Sequence, residues 1–372
     1  RIRDPFKTLG KRAPIPCDIS EAHGVAMAAL EPGTTLTPLP FKQPELQTDE
    51  IRIRVTHCGM CHSDVNNTSL KWSDSQFFPL VPGHEIVGIV ESKGEAIEEF
   101  RIGERVGFGV FRGCCASCSD CPYCSTGDDN SCPTKIGTYG PYFGGYSTSF
   151  QAPASYFFHL PDEFTGHHAP LLCAGSTVYE PLKLYTKPGK KVAVVGIGGL
   201  GHLALQFANK LGCDVTAIST SDSKRDEARE FGAHAFVNAN ARGEWNSVLG
   251  SFDFLLVTAQ NYSISRSLDL IKNRGVVGLV GLPERGHDFE MNIGKLTWGN
   301  KTLVGSIVAS RANIREMIDF ACLHGVKPMT EQYAFADAQS AFNSLALGQP
   351  QFPRYRAVLE TEAFFESFTP AR

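Results

Sequence analysis

No stretch of this chain stays apolar for the roughly 20 residues that a membrane-spanning helix needs. Nor does the sequence hold a secretory apolar core, an internal repeat or a low-complexity tract. These absences exclude a helical membrane protein and a solenoid. A long basic run is also missing. Lys and Arg number 35 against 39 Asp and Glu, a net charge of −4, which argues against a phosphate backbone as partner. What remains is ordinary: 42% apolar and 20% charged residues, as in a globular protein, and a length of 372 that allows two cores.

Cysteine is plentiful, with 12 residues. A secreted disulfide framework would suit a short chain, but this one is long, and eight of its cysteines fall in two tight groups (Cys58 with Cys61, and Cys114 to Cys132). Such grouping points to metal ligands in a reducing compartment. Cys118, Cys121, Cys124 and Cys132 are spaced C-x2-C-x2-C-x7-C. Four thiolates that close in sequence can enclose one tetrahedral ion, and Zn²⁺ favours such a set.

The first residue is Arg1, and Arg1, Arg3, Lys7, Lys11 and Arg12 precede the first apolar pattern with Asp4 as the only acid. A solvated tail or fragment boundary is expected, the stub of a processed targeting segment being the alternative. The expected location is the cytoplasm, with an organelle lumen after removal of such a segment as the other reading.

Residues from about 23 to 150 read as β-rich. Residues 51–55 alternate as a half-buried strand should, and 86–90 and 105–110 look like strands broken by glycines. The cysteine-rich lobe is too polar for a core element and is expected to be held by its metal. From about Ala174 the pattern changes to alternating strands (191–195, 214–218, 254–257, 276–280) and helices (201–211, 223–231). This alternation implies a parallel sheet of βαβ units. A helix is expected over 314–324, and a strand at 355–359 that rejoins the first domain.

Gly196-Ile-Gly198-Gly199-Leu200-Gly201 follows a strand and opens a helix. In that context the glycines let a pyrophosphate approach the backbone at a helix N-terminus, so a dinucleotide is expected. The second strand ends at Ser219-Thr220-Ser221, with Lys224 and Arg225 behind it and no acid at the strand end. Asp222 lies past that end. Small hydroxyls and cations suit a 2′-phosphate, so NADP(H) is favoured over NAD.

Three further segments offer metal donors: Cys61-His62-Ser63-Asp64, Gly83-His84-Glu85, and Cys173 in Leu172-Cys173-Ala174. Singly, none is specific. If they converge, they form an open zinc site with a position left for substrate.

Taken together, GHE, CHSD, the cysteine lobe, LLCAGSTVY, GIGGLGH and YRAVL resemble the zinc-dependent medium-chain alcohol dehydrogenases. The similarity is greatest to the cinnamyl alcohol dehydrogenase branch with its bacterial aldehyde reductases. The resemblance implies an α/β fold, with a β-rich GroES-like catalytic domain (1–173 and 312–372) and a Rossmann doubly wound NADP-binding domain (174–311). It implies two Zn²⁺ per chain. Cys61, His84 and Cys173 would hold the catalytic ion, with Glu85 nearby or as alternate ligand, and Cys118, Cys121, Cys124 and Cys132 the structural one. Cys114 and Cys115 are then spare; Cys115 could compete for a place, but only the set starting at Cys118 has the family spacing. Asp64 would orient the ligating histidine and Ser63 would pass a proton to the alkoxide.

Two departures stand out. The position that carries a relay histidine in many relatives is Asn66, which cannot titrate; His62 or the cofactor ribose and water are its substitutes. Gly137 stands where the lignin-type enzymes have tryptophan, so the pocket is less tailored to a phenolic ring. The expected activity is NADP(H)-linked interconversion of aldehydes and primary alcohols by a homodimer. The rivals are reduction of an iminium or conjugated alkene, and a non-catalytic or NADPH-sensing relative.

Overall fold

The computed structural model describes residues 13–74, 76–115, 121–286, 289–347 and 354–362. Its internal contacts divide the chain into two units, one of residues 1–173, 310–318 and 330–372, the other of 174–309 and 319–329.

In the first unit the long strand Glu50–Met60 is the spine of a seven-stranded sheet. Ile51, Ile53 and Val55 are fully buried on one side, whereas Arg52 and Arg54 are only partly covered. Burying each of these branched side chains contributes about 1.5–3 kcal/mol. Ile86–Lys93 pairs antiparallel with the spine, and the register slips between Val55 and His57. Gly88 lies in the slipped stretch; a Cβ there would stand 2.5 Å from the Arg54 carbonyl. Arg356–Glu360 pairs antiparallel with the spine on its other side, so the C-terminal strand does join this unit. Thr330–Ala334 lies parallel beside it.

The strand expected over 105–110 is split into Arg105–Phe108 and Phe111–Gly113. The Thr138 hydroxyl donates to the Gly109 carbonyl and the Thr138 amide to that of Val110, which takes both carbonyls out of the ladder.

The second unit is a six-stranded parallel sheet in the order Ala235–Asn238, Asp214–Ser219, Lys191–Val195, Phe252–Val257, Ile271–Leu279, Thr302–Gly305. Chain order therefore reverses on either side of Lys191–Val195, the switch point at which doubly wound sheets bind ligands. The β-rich domain and the doubly wound parallel sheet expected from sequence are both present. The helix expected over 223–231 is shorter: a 3₁₀ turn at Asp222–Lys224 precedes Arg225–Glu230, because the Ser221 hydroxyl accepts the Ser223 amide and holds the first turn tight.

The glycine turn leaves Lys191–Val195 at its carboxyl end and enters the helix Gly201–Lys210. Gly196 has φ +91°, where a side chain is strained, and a Cβ on Gly201 would fall 1.9 Å from the Gly196 carbonyl oxygen. Around Gly198 nothing lies within 4 Å of where a Cβ would be, so its backbone is open to a ligand. Gly201→Ala is therefore expected to destabilise the chain by about 1–3 kcal/mol through overpacking, read as a lower urea midpoint with an unchanged slope.

Candidate metal centre

The spine strand ends at Met60, and Cys61 is the N-cap of the short helix His62–Thr68. The helix starts here because Asp64, at its third position, reaches back and accepts the Cys61 amide at 3.1 Å. The same carboxylate accepts the Gly83 amide at 3.0 Å, the His84 Nδ1 at 3.0 Å and the Tyr146 hydroxyl at 3.3 Å. Asp64 is fully buried, and each of its oxygens accepts two donors. An ionised carboxylate only accepts, so the proton of His84 sits on Nδ1 and Nε2 is left as a free donor atom for a metal.

Cys173 arrives from a third direction, at the end of the 3₁₀ helix Gly166–Leu172. The result is a cluster of Cys61, His84, Glu85 and Cys173 whose ligand atoms all lie within 4.8 Å of one another. Glu85 is fully buried and paired through Oε1 with the Arg356 guanidinium, while its Oε2 has no hydrogen-bond partner. Burial pushes Glu85 up to about 7 even though Arg356 draws it down. Cys61 is held well below the ordinary thiol value, first by its hydrogen bond with Cys173, whose own pKa rises well above normal for the same reason. Burial opposes protonation of His84, yet Asp64 and Cys61 together raise its pKa well above normal. Two sulfurs, an imidazole and a carboxylate thus share buried charge and leave an orphaned oxygen, and a soft divalent cation would satisfy all four. The donor set suits zinc.

Ser63 stands beside the cluster, its hydroxyl 3.4 Å from the Cys61 sulfur. His62 is exposed. Asn66 is buried and its Nδ2 has no hydrogen-bond partner.

Three supports had gone unmarked in the sequence: Tyr146, Arg356 and Tyr139. Tyr139 accepts from Asn67 at 3.1 Å, and its ring lies 5.9 Å from that of His84. Arg356 had a readable signal, being a lone charge in the apolar run 355–359, where a buried cation needs a buried acid. The tyrosines had none.

In the lobe, Cys115, Cys121, Cys124 and Cys132 bring their sulfurs within 4.8 Å of one another. Cys115 is 3.4 Å from Cys132 and 3.6 Å from Cys124, and Cys114 is 3.5 Å from Cys124. The expected ligand Cys118 lies outside the described residues. Cys115, read as spare from the spacing, stands in the cluster. Asp129, which precedes Cys132, accepts both the backbone amide of Arg311 (3.1 Å) and its Nε (2.7 Å), tying the lobe to the helix Arg311–His324.

In the second unit, Thr220 and Ser221 are exposed just past the strand Asp214–Ser219. Lys224 donates to the Ile197 carbonyl, inside the glycine turn, at 2.5 Å. Asp222 is engaged by Arg225 at 2.6 Å and by Asn238 at 2.8 Å, and Arg225 also meets Glu244. The nearest acid is therefore occupied, but so are both cations that the sequence had offered to a phosphate, Lys224 by a carbonyl and Arg225 by two carboxylates.

Comparison with known proteins bears on both units. Residues 47–162 match the model of the alcohol dehydrogenase GroES-like domain, and residues 199–322 that of the zinc-binding dehydrogenases. Cinnamyl alcohol dehydrogenase 8 of Arabidopsis thaliana is 36% identical over 91% of this chain and 95% of its own. A cinnamyl alcohol dehydrogenase structure from Sorghum bicolor superposes with a TM-score of 0.84 at 33% identity, covering 91% of this chain and 97% of that one. The CAD of Helicobacter pylori complexed with NADP(H) gives 0.82 at 27% identity with the same coverage.

Asp64→Asn replaces an oxygen acceptor by a donor in a site with donors on every side. It is expected to weaken zinc binding about 10–100-fold, measured by competition with a chromophoric chelator. Cys115→Ser is expected to cost the chain one zinc equivalent in elemental analysis; full retention would place the fourth lobe ligand elsewhere.

Proposed function

The chain belongs to the zinc-binding alcohol dehydrogenases, and from that premise we propose that it transfers hydride reversibly between NADP(H) and an aldehyde or primary alcohol of broad structure. The observation that carries this is the cluster of half-buried Cys61 and Cys173 with buried His84 and Glu85, Asp64 locking the imidazole. Cys61, His84 and Cys173 would hold the catalytic zinc, with Glu85 as neighbour or alternate ligand. When bound, zinc supplies Lewis-acid polarisation of the carbonyl oxygen and the dinucleotide supplies the hydride.

The rest is done by side chains of this chain. Asp64 keeps the His84 proton on Nδ1, so Nε2 stays available. Arg356 keeps Glu85 from becoming an uncompensated buried charge. The Ser63 hydroxyl, next to the Cys61 sulfur, is the group that holds and hands over the proton of the product alcohol. From there the path must run through exposed His62, or through the cofactor ribose and water, since Asn66 cannot take a proton.

Gly196, Gly198, Gly199, Leu200 and Gly201 form the pyrophosphate cradle. Thr220, Ser221 and Lys224 are assigned to the 2′-phosphate, a reading supported by the occupation of Asp222 by Arg225 and Asn238.

Asn66 favours a second reading. An enzyme without a titratable relay is suited to reduction of an iminium, whose hydride adduct is a neutral amine, or of a conjugated alkene, whose adduct takes its proton at carbon rather than through an alkoxide. Product analysis separates the two.

A homodimer fits the family; Thr302–Gly305 ends the sheet, and Trp298 beside it is 91% exposed. The grouping of Cys61 with Cys173, and of Cys115 with Cys121, Cys124 and Cys132, as ligand sets supports a reducing compartment such as the cytoplasm.

NADPH oxidation with a panel of aliphatic and aromatic aldehydes tests the main reading. Turnover is expected with zinc-replete protein, and NADPH should be preferred to NADH by about tenfold or more in kcat/KM, about 1.4 kcal/mol. No turnover with any aldehyde would reject it. Asn66→His is expected to add a titration near neutral pH to the kcat profile; an unchanged profile would contradict the account of the relay.

A further inference from the structure

The imidazole of His202 is fully buried inside the second unit, in the helix that follows the glycine turn. Its two nitrogens have opposite duties. The Met329 amide donates to Nε2 at 3.1 Å, so Nε2 carries no proton. Nδ1 must therefore carry it, and Nδ1 lies 3.0 Å from the carbonyl oxygen of Gly198, the second glycine of the turn. The backbone amide of His202 donates to that same oxygen at 3.1 Å. Phe231 stands edge-on to the ring with centroids 5.4 Å apart.

One helical turn on, Gln206 completes the arrangement. Its Nε2 donates to the Lys327 carbonyl at 2.8 Å and its Oε1 accepts the Lys327 amide at 3.0 Å. These bonds take up the amides of residues 327 and 329, and Pro328 between them has no amide to satisfy.

We infer that His202 is a positioning residue for the dinucleotide. The inference rests on the reading of the glycine turn as the pyrophosphate site. The Met329 amide sets the tautomer, and the tautomer commits Nδ1–H to the Gly198 carbonyl. That carbonyl is then drawn toward the helix by two donors. Across the trans peptide the Gly199 N–H points the opposite way, outward from the helix start, which is where an anion approaches. The imidazole thus holds one amide of the turn aimed at the pyrophosphate before the ligand arrives, and less ordering remains for binding to cost. A protonated or reversed ring would break one of the two bonds.

Two substitutions separate the bonds. In His202→Asn the amide nitrogen can take the place of Nδ1 and keep the donor to Gly198, losing Met329. In His202→Gln the amide oxygen can take the place of Nε2 and keep Met329, losing Gly198. NADPH affinity by fluorescence titration is the readout, with thermal melts on the same samples. H202N is expected to stay within about threefold of the unsubstituted chain and H202Q to weaken about tenfold or more, one lost hydrogen bond's worth. Both should melt lower, and kcat at saturating NADPH should change by less than about twofold in either. A merely structural role would lower the melting points and leave the affinities alike. Equal losses, no loss, or a tenfold loss in H202N overturns the inference while NADPH binding by the unsubstituted chain keeps the cofactor reading intact. Should H202Q not fold, the H202N result decides. An unsubstituted chain that binds neither NADPH nor NADH overturns the cofactor reading and this inference together.

Discussion

The Asp64 carboxylate is the joint on which the metal centre depends. It caps the helix that starts at Cys61, pins the Gly83–His84 backbone, takes the Tyr146 hydroxyl and fixes the tautomer of His84. Four donors offset the cost of burying one negative charge. The arrangement is reciprocal, because the four donors come from three separate parts of the chain and share one acceptor. A strand end, a tight turn and a distant tyrosine are brought into one geometry by one side chain.

Around that joint the electrostatics are unfinished in a way that points to a cation. Arg356 compensates one oxygen of Glu85 and leaves the other bare. The thiols of Cys61 and Cys173 pull each other's pKa in opposite directions. Protons can share such a site only by keeping some members charged without a partner. The lobe repeats the pattern on a smaller scale. Against burial, hydrogen bonds from the Cys115 and Thr134 region hold Cys132 down to about 6, while Cys124 is raised by burial and by its neighbouring thiols. Sulfurs so close and so unequal in proton affinity are what thiolate ligation would even out.

How much of this could be read from the sequence depended on whether the cause was local. The glycine turn was legible because strand, turn and helix are contiguous, and the need for glycine at 196 and 201 is steric. The sheet strands were legible where both faces are buried, as at 254–257, and less so where a bulge intervenes, as in Ile271–Leu279, whose register slips opposite Phe252 and Phe254. Cys61, His84 and Cys173 were legible only through resemblance, since nothing in their spacing makes 61, 84 and 173 neighbours. Tyr139, Tyr146 and the bond from Met329 to His202 were not legible, because each joins residues that only the fold brings together. Cys115 was set aside on spacing, yet its sulfur lies with those of Cys121, Cys124 and Cys132, a proximity that only the fold reveals.

The central claim is that the cluster of Cys61, His84, Glu85 and Cys173 binds a metal ion distinct from that of the lobe. Elemental analysis of zinc-supplied, reduced protein after gel filtration tests it most directly, with Cys173→Ala measured alongside. Two clusters predict two zinc ions per chain, and one remaining when Cys173 is removed. A single zinc in the unsubstituted chain, or two retained in Cys173→Ala, would contradict the account.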